Sequence, residues 1–207
     1  LSVLGLTRPA PYRLAGWPDE VVEDVRRLGG VTFAAHPDSA RTSLSWRDWD
    51  VPLQGVEWLN ADSEWRDEPP WTLARAALTY GWRPVETVVA LFDRPARTLA
   101  RWDRYSSDGR YLVALAGADA HARLGARDDD VEDELAGTRW AVKAPGYETM
   151  FRAFSPPVEL DQPLGEGGWA MADAARLVEA LAAGRSYTVI DGLAAPGRLD
   201  FVATHAG

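Results

Sequence analysis

The sequence predicts an α/β protein built on a mainly parallel β-sheet, and three observations support this fold class. Tyr111 to Gly117 is an apolar run that ends in glycine, typical of a strand buried on both faces, although periodicity alone leaves a buried helix segment open. A second apolar run, Val31 to Ala35, ends at a His-Pro pair. Strand and helix patterns alternate along the chain, as expected when strands pair in parallel.

The composition is that of a folded globular protein. The 207 residues suffice for one substantial domain, with 46% apolar and 26% charged residues. No run of eighteen apolar residues indicates a membrane span, so we expect a soluble protein without a membrane partner, and we favour the cytoplasm. A formal net charge of −9 without a basic cluster argues against nucleic acid as a partner. Without cysteine, any metal must bind His, Asp, Glu or water, which favours zinc, manganese, magnesium or iron.

The first part of the chain reads as strand, loop, helix and strand. Leu1 to Leu6 begins in the middle of a strand pattern, so we expect a preceding segment. A helix is predicted from Pro18 to Gly29, because acidic residues occupy its first turn and glycine follows its apolar face. Val31 to Ala35 is the next strand, and Pro37 favours an extended conformation for His36 at its end.

The middle of the chain is predicted to contain one strand and three helices. Gly55 to Asn60, GVEWLN, is a strand with Glu57 inside it, and that carboxylate needs a partner because an isolated buried charge is costly. The following ADSEWRDEPP is interpreted as a loop. The three helices are predicted over Pro70 to Tyr80, Pro84 to Leu91 and Asp93 to Tyr105, with Asp93 as the N-cap of the third.

Further helices and strands follow the run that ends at Gly117. The strongly charged segment 122–137 is interpreted as a solvated loop. A strand is predicted over TRWAVKA from Thr138, a short helix over GYETMFRAF, a helix from Ala170 to Ala183 and a strand from Arg185 to Ile190. The tail, residues 193–207, is strand-like with Pro-Gly punctuation and is interpreted as the start of another domain.

Three residues are candidate metal ligands. His36 follows one predicted strand, and Asp119 and His121 follow another as an Asp-x-His step. A single histidine is more often a structural residue, but two histidines and a carboxylate directly after buried strands suit the ligand chemistry of a divalent ion. We therefore expect these three side chains to converge at the carboxyl edge of one parallel sheet, within about 4–6 Å of one another.

The chain resembles the PHP superfamily, named for polymerase and histidinol phosphatase. GGVTFAAHPD, GVEWLN and ALAGADAHAR are similar to the later motifs of these metal-dependent phosphoesterases, which have a distorted seven-stranded β/α barrel. YETMFRAFSPPVELDQPL and AARLVEALAAGRSYTVIDGLAAP resemble the carbaryl-hydrolase-like branch, in which a short β-rich domain often follows the barrel. The resemblance implies that residues 1–192 are the later part of such a barrel with C-terminal helix and strand additions.

The resemblance also implies roles for individual residues. His36 matches the mid-barrel histidine ligand of the family, and Asp119 with His121 matches its final Asp-x-His pair. Glu57 and Asn60 are expected behind the ligands or facing the substrate. Arg123 could bind an anionic substrate oxygen, although an ordinary surface arginine is the alternative. The opening H-x-H strand of the family and its bridging glutamate are absent from this chain.

The implied activity is hydrolysis of a small phosphoester or related ester by a water that two or three divalent metal ions activate. The alternative is a non-catalytic, degenerate PHP-like module with a structural or interaction role, but the retained ligand residues favour the enzyme. Without the earlier strands the barrel would have unpaired edges. We therefore expect the chain to pair with the missing N-terminal barrel segment or with another chain, and by itself to be insoluble or inactive.

Overall fold

The computed structural model describes residues 1–40, 42–121, 124–127, 138–142, 144–166 and 169–194, and these residues form a mixed α/β fold. The strands are β1 (Ser2–Leu4), β2 (Val31–Ala34), β3 (Gly55–Asn60), β4 (Val113–Gly117), β5 (Leu124–Arg127) and β6 (Thr138–Val142). The helices are α1 (Pro18–Arg27), α2 (Ala61–Arg66), α3 (Pro70–Tyr80), α4 (Pro84–Val89), α5 (Ala96–Ser107), α6 (Tyr147–Phe151) and α7 (Ala170–Ala182).

The main sheet has four strands in the order β1-β2-β3-β4. β2, β3 and β4 are mutually parallel, and β1 pairs antiparallel with β2. The prediction of a mainly parallel sheet is therefore confirmed, and the carboxyl ends of three strands lie at the same edge. β5 and β6 form a separate antiparallel pair. The described strands do not show a closed seven-stranded barrel, which stays a prediction.

Most predicted elements lie close to their predicted bounds. β3 and α3 agree at both ends, α1 begins at Pro18 as predicted, and β4 begins at Val113, two residues later than predicted. In the described part of the chain, no helix combines the length and apolar character that crossing a bilayer requires.

Two predictions around the middle helices are wrong. Ala61–Arg66 is helical where a loop was predicted, because the side chain of Asn60 accepts a hydrogen bond from the Ser63 N–H and caps a helix that starts directly at the end of β3. The third helix begins at Ala96 rather than Asp93. Pro95 disfavours a helical conformation for the residue before it, and the Asp93 N–H donates to the Glu64 carboxylate instead of entering a helix.

The C-terminal predictions also need correction. Leu124–Arg127 is a strand, although it belongs to the segment interpreted as a loop. The predicted strand Arg185 to Ile190 makes only isolated bridges, Ser186 with Val158 and Val189 with Ser155. The intervening residues 156–157 are both proline and supply no N–H for a continuous ladder. Residues 128–137 and all of the tail except 193–194 lie outside the described residues.

Two apolar clusters hold the sheet in place. The first joins α1, the strands and the aromatic residues that follow them, and contains Val22, Ala34, Val51, Leu53, Val56 and Leu112. The second lies near the carboxyl ends of β3 and β4 and contains Ala61, Val88, Val89, Met150, Ala153 and Phe154. Ala118 and Ala120 pack against the second cluster. Because these two alanines anchor the backbone after β4, the polar residues that alternate with them are held at the edge of the sheet.

Gly55 lies in a tightly packed part of the sheet, and we expect it to tolerate no side chain. A Cβ there would lie 2.2 Å from the Val113 carbonyl oxygen and 2.7 Å from the Phe33 ring. Overpacking of this kind should lower the free energy of unfolding of Gly55→Ala by about 3 kcal/mol, measured by urea denaturation.

Gly81→Ala is the matched control for that substitution. Gly81 has a φ of −65° and no neighbour within 4 Å of an added Cβ. The control should be neutral or stabilising by up to about 1 kcal/mol, because alanine restricts the unfolded chain. Equal stability of the two variants would contradict the described register of β3 against β4.

Candidate metal centre

Polar side chains follow each of the three parallel strands at the same spacing. His36, Asp62 and Asp119 each lie two residues beyond the last residue of β2, β3 and β4, respectively. Asp119 Oδ2 lies 3.4 Å from His36 Nδ1, and Asp119 Oδ1 lies 3.2 Å from His121 Nε2. Asp119 therefore lies against both histidines at the carboxyl edge of the sheet, as predicted. Among the described residues, however, the group whose ligand atoms could share one ion joins Asp119 and His121 with Asp62 and not with His36, and the metal-ligand role of all these residues stays a prediction.

The backbone is strained at two of these positions. His36 has a φ of +48° and Asp119 a φ of +42°, values that residues with a Cβ rarely adopt. The expected extended conformation of His36 before Pro37 is thus wrong. Such strain persists only where surrounding contacts over-determine the backbone, and it is commonest at functional sites. Here His36 is held by Glu57 and Asn60 of β3, and Asp119 is held by the same Asn60.

The buried amide of Asn60 joins the two sides of the site. Its Nδ2 lies 3.1 Å from His36 Nδ1 and donates to Asp119 Oδ2 at 3.3 Å, while its Oδ1 accepts from the Ser63 N–H at 2.8 Å. The Ser63 contact assigns the orientation of the amide, so Nδ2 is the donor toward His36. We therefore predict that His36 Nδ1 accepts from the Asn60 amide and that the proton of the neutral ring lies on Nε2. Asn60 thus contacts two of the predicted ligands, and its role behind them or facing a substrate stays a prediction.

Glu57 supports the backbone of His36. Its side chain is 13% exposed, and its Oε2 accepts the His36 N–H at 2.9 Å. Its Oε1 lies over Gly117, where an added Cβ would approach it to 1.8 Å. Burial raises the pKa of Glu57 above its ordinary value, and the hydrogen bond from the His36 N–H opposes that rise. The expectation that this strand carboxylate has a partner is confirmed, and its partners are the His36 backbone N–H and the Asn60 side chain.

Asp62 is the residue that sequence reasoning missed. One ligand atom from each of Asp62, Asp119 and His121 lies within 4.8 Å of the others, close enough for the three to hold one metal ion. Its position two residues past the end of β3, which matches His36 after β2 and Asp119 after β4, was the signal that could have identified it. Because residues 61–70 were interpreted as a loop, Asp62 was not considered as a ligand. His121 is the most exposed of the three, with a side chain 53% accessible. Asp62 by contrast is only 13% accessible.

A cavity of about 210 Å³ opens beside the site. Its lining includes His36, Glu57, Asn60, Glu64 and Asp93. Glu64 is 8% exposed and accepts the Asp93 N–H at 3.0 Å. Burial, with the nearby charge of Asp93 in addition, raises the pKa of Glu64 to about 7.

Arg123, the predicted contact for an anionic substrate, lies outside the described residues. The donors that are described are carboxylates and imidazoles, which suit zinc, manganese or iron, and magnesium where carboxylates predominate. The chain matches no protein-family model, and comparison with curated proteins and with solved structures gives no match either. The resemblance to the PHP superfamily accordingly stays a prediction.

The Asn60 amide predicts the tautomer of His36. In metal-free protein we expect two-dimensional ¹H–¹⁵N NMR of the ring to show a protonated Nε2 and an acceptor Nδ1 above the titration range of the imidazole. Asn60→Asp retains a helix-capping oxygen but replaces the amide donor with an acceptor, so the preference for the Nε2–H form should weaken. A ring protonated at Nδ1 in the wild type would contradict the assigned amide orientation.

Glu64 should make the stability of the protein depend on pH. Its folded pKa of about 7 exceeds the unfolded value of 4.5, so the folded state binds the proton more tightly. Its contribution is fully present below pH 4.5 and is lost as the pH rises to about 7. Glu64→Gln keeps an acceptor for the Asp93 N–H, so its stability relative to wild type should rise by about 3 kcal/mol between pH 4.5 and 8.

The measurement is urea denaturation of both proteins across that pH range, with Glu86→Gln as the control because Glu86 lies on the exposed side of α4. The control should not reproduce the rise. A constant difference between wild type and Glu64→Gln would show that Glu64 is not desolvated as its burial indicates.

Proposed function

We propose that the chain is a metal-dependent hydrolase that acts on phosphoester or related ester bonds of a small molecule. The observation that carries this proposal is the convergence of Asp62, Asp119 and His121 at the carboxyl edge of three parallel strands, with His36 against the same Asp119 carboxylate. In α/β proteins this edge is where binding and catalytic groups gather.

Asp119 has the central place in the proposed site, because each of its oxygens faces a different imidazole. Asp62, Asp119 and His121 would hold one ion, and His36 lies where it can extend the site. A bound divalent ion lowers the pKa of a coordinated water toward neutrality and neutralises charge on the oxygen atoms of the substrate.

The protein's own residues orient this site and limit the substrate. The Asn60 amide holds the Asp119 carboxylate and the His36 ring in fixed relative positions, and Glu57 holds the His36 backbone. Because metal-binding groups depend on such outer hydrogen bonds, these two residues support the proposal. The adjoining cavity of about 210 Å³ is smaller than a typical drug-sized pocket, which supports a small substrate.

The same proposal includes the fold: we propose that the chain forms the later part of a PHP-type barrel. Among the described strands, β1 and β4 each pair on one side only. These edges are compatible with further strands from an N-terminal barrel segment or from another chain, which would bring the additional ligands of the family and its second or third ion.

A non-catalytic interaction role is the second candidate, and α3 favours it. No residue of α3 is buried, and Trp71 and Leu78, together with Trp82 just after the helix, are 70%, 86% and 88% exposed. Large exposed apolar side chains on one helix are typical of contact surfaces for other molecules. A chain that associates through this helix but neither binds ions nor hydrolyses esters would have this second role.

The test of the hydrolase proposal is bound metal together with activity. We expect protein loaded with Zn²⁺ or Mn²⁺ to retain the ion after desalting and to hydrolyse p-nitrophenyl phosphate. Asp119→Asn should weaken metal binding by more than the roughly 10- to 100-fold that loss of an outer hydrogen-bond partner costs. Elemental analysis and titration calorimetry measure the retention and the affinity.

Asp161→Asn is the matched control, since Asp161 is an exposed carboxylate that pairs with Arg185. It should bind and hydrolyse as the wild type does. Wild-type protein that retains no ion, or an Asp119→Asn variant that retains as much as the control, would refute the proposed site.

A further inference from the structure

Arg66 lies against the same carboxylate that would contribute to the metal site. Its Nε donates to Asp62 Oδ2 at 2.5 Å, and the indole Nε1 of Trp65 donates to Asp62 Oδ1 at 3.0 Å. Both oxygens of Asp62 are thus occupied by donors from the helix that Asn60 caps, α2. These two donors already neutralise part of the Asp62 charge, so a metal ion at this carboxylate gains less than it would from a free one.

The pairing of Asp62 with Arg66 is protected from water. The side chains are 13% and 22% exposed, respectively. The guanidinium carbon of Arg66 lies 4.2 Å from the centre of the Trp65 ring, so the ring supports the cation from one face. Helical spacing of four residues places the acid and the base on the same side of α2. Such a contact is stronger than a solvated surface pair, since water screens it less.

Asp119 differs from Asp62 in this respect. Among the described residues, its oxygens contact the imidazoles of His36 and His121 and the Asn60 amide. None of these partners is a permanent cation, so Asp119 can bind an ion without displacing a fixed positive charge. Two carboxylates at one sheet edge therefore differ in their availability to a metal.

We propose that Arg66 competes with the metal ion for Asp62 and thereby sets the affinity of the site. This inference rests on the proposed function. Asp119 and His121 anchor the ion, and Asp62 binds it fully only when the guanidinium of Arg66 moves away. The site is consequently weaker for divalent cations than its ligand atoms alone would make it.

The experiment compares the affinity of metal-free wild type and Arg66→Gln for Mn²⁺ and Zn²⁺ by titration calorimetry. We expect the variant to bind roughly 10- to 100-fold more tightly, the range that corresponds to one charged hydrogen bond. Arg66→Met removes the charge and keeps an apolar stem against Trp65, so it should show the same direction if the glutamine variant folds poorly. Circular dichroism checks that each variant folds.

Two further proteins make the comparison specific. Arg152→Gln is the matched control, because Arg152 pairs with Glu148 at the same helical spacing but far more exposed, and it should leave the affinity unchanged. In an Asp62→Asn background, Arg66→Gln should no longer tighten binding, because the carboxylate for which Arg66 and the ion compete is gone.

Tighter binding by Arg66→Gln that disappears in the Asp62→Asn background supports the competition. Binding by the Arg66 variants without measurable binding by the wild type supports it as well. Measurable binding by the wild type with equal or weaker binding by Arg66→Gln overturns this inference and leaves the proposed function intact. Absence of binding in every variant overturns both.

Discussion

The parallel pairing of β2, β3 and β4 is the constraint on which the candidate site depends. Parallel strands end at one edge, so residues that are far apart in the sequence meet there when each follows its strand by the same number of residues. His36, Asp62 and Asp119 satisfy this condition, each two residues past a strand. An antiparallel arrangement of the same strands would have sent one of them to the opposite edge.

The second determinant is the way the fold compensates negative charge at this edge. Glu57, Asp62 and Asp119 are all largely shielded from water, which is unfavourable for carboxylates without partners. The His36 backbone N–H and the Asn60 side chain serve Glu57, an arginine and an indole serve Asp62, and the Asn60 amide with the His121 imidazole serves Asp119. The three carboxylates therefore differ chemically although they share one surface, and this difference underlies the unequal roles that we propose for Asp62 and Asp119.

The sequence was sufficient for the parts of the site that depend on local pattern. The apolar runs before His36 and Asp119 predict β2 and β4, and the adjacent polar residues predict ligand chemistry at their ends. Asp62 could not be predicted in this way, because its role requires that β3 pass directly into α2. That transition depends on the Asn60 cap and on the burial of Ala61 against residues distant in sequence. Likewise, Pro95 was a local signal against a helix beginning at Asp93, but the hydrogen bond from the Asp93 N–H to Glu64 is tertiary.

What the sequence by itself determined is the set of strands and the kinds of side chain at their ends, because burial periodicity and glycine or proline boundaries are properties of neighbouring residues. Only the tertiary structure decided the left-handed conformations of His36 and Asp119, the amide bridge from Asn60 and the pairing of Asp62 with Arg66. Local preference opposed the conformation of His36, since a residue before proline favours an extended backbone. Contacts from other strands outweigh that preference, and these contacts exist only once the sheet has formed.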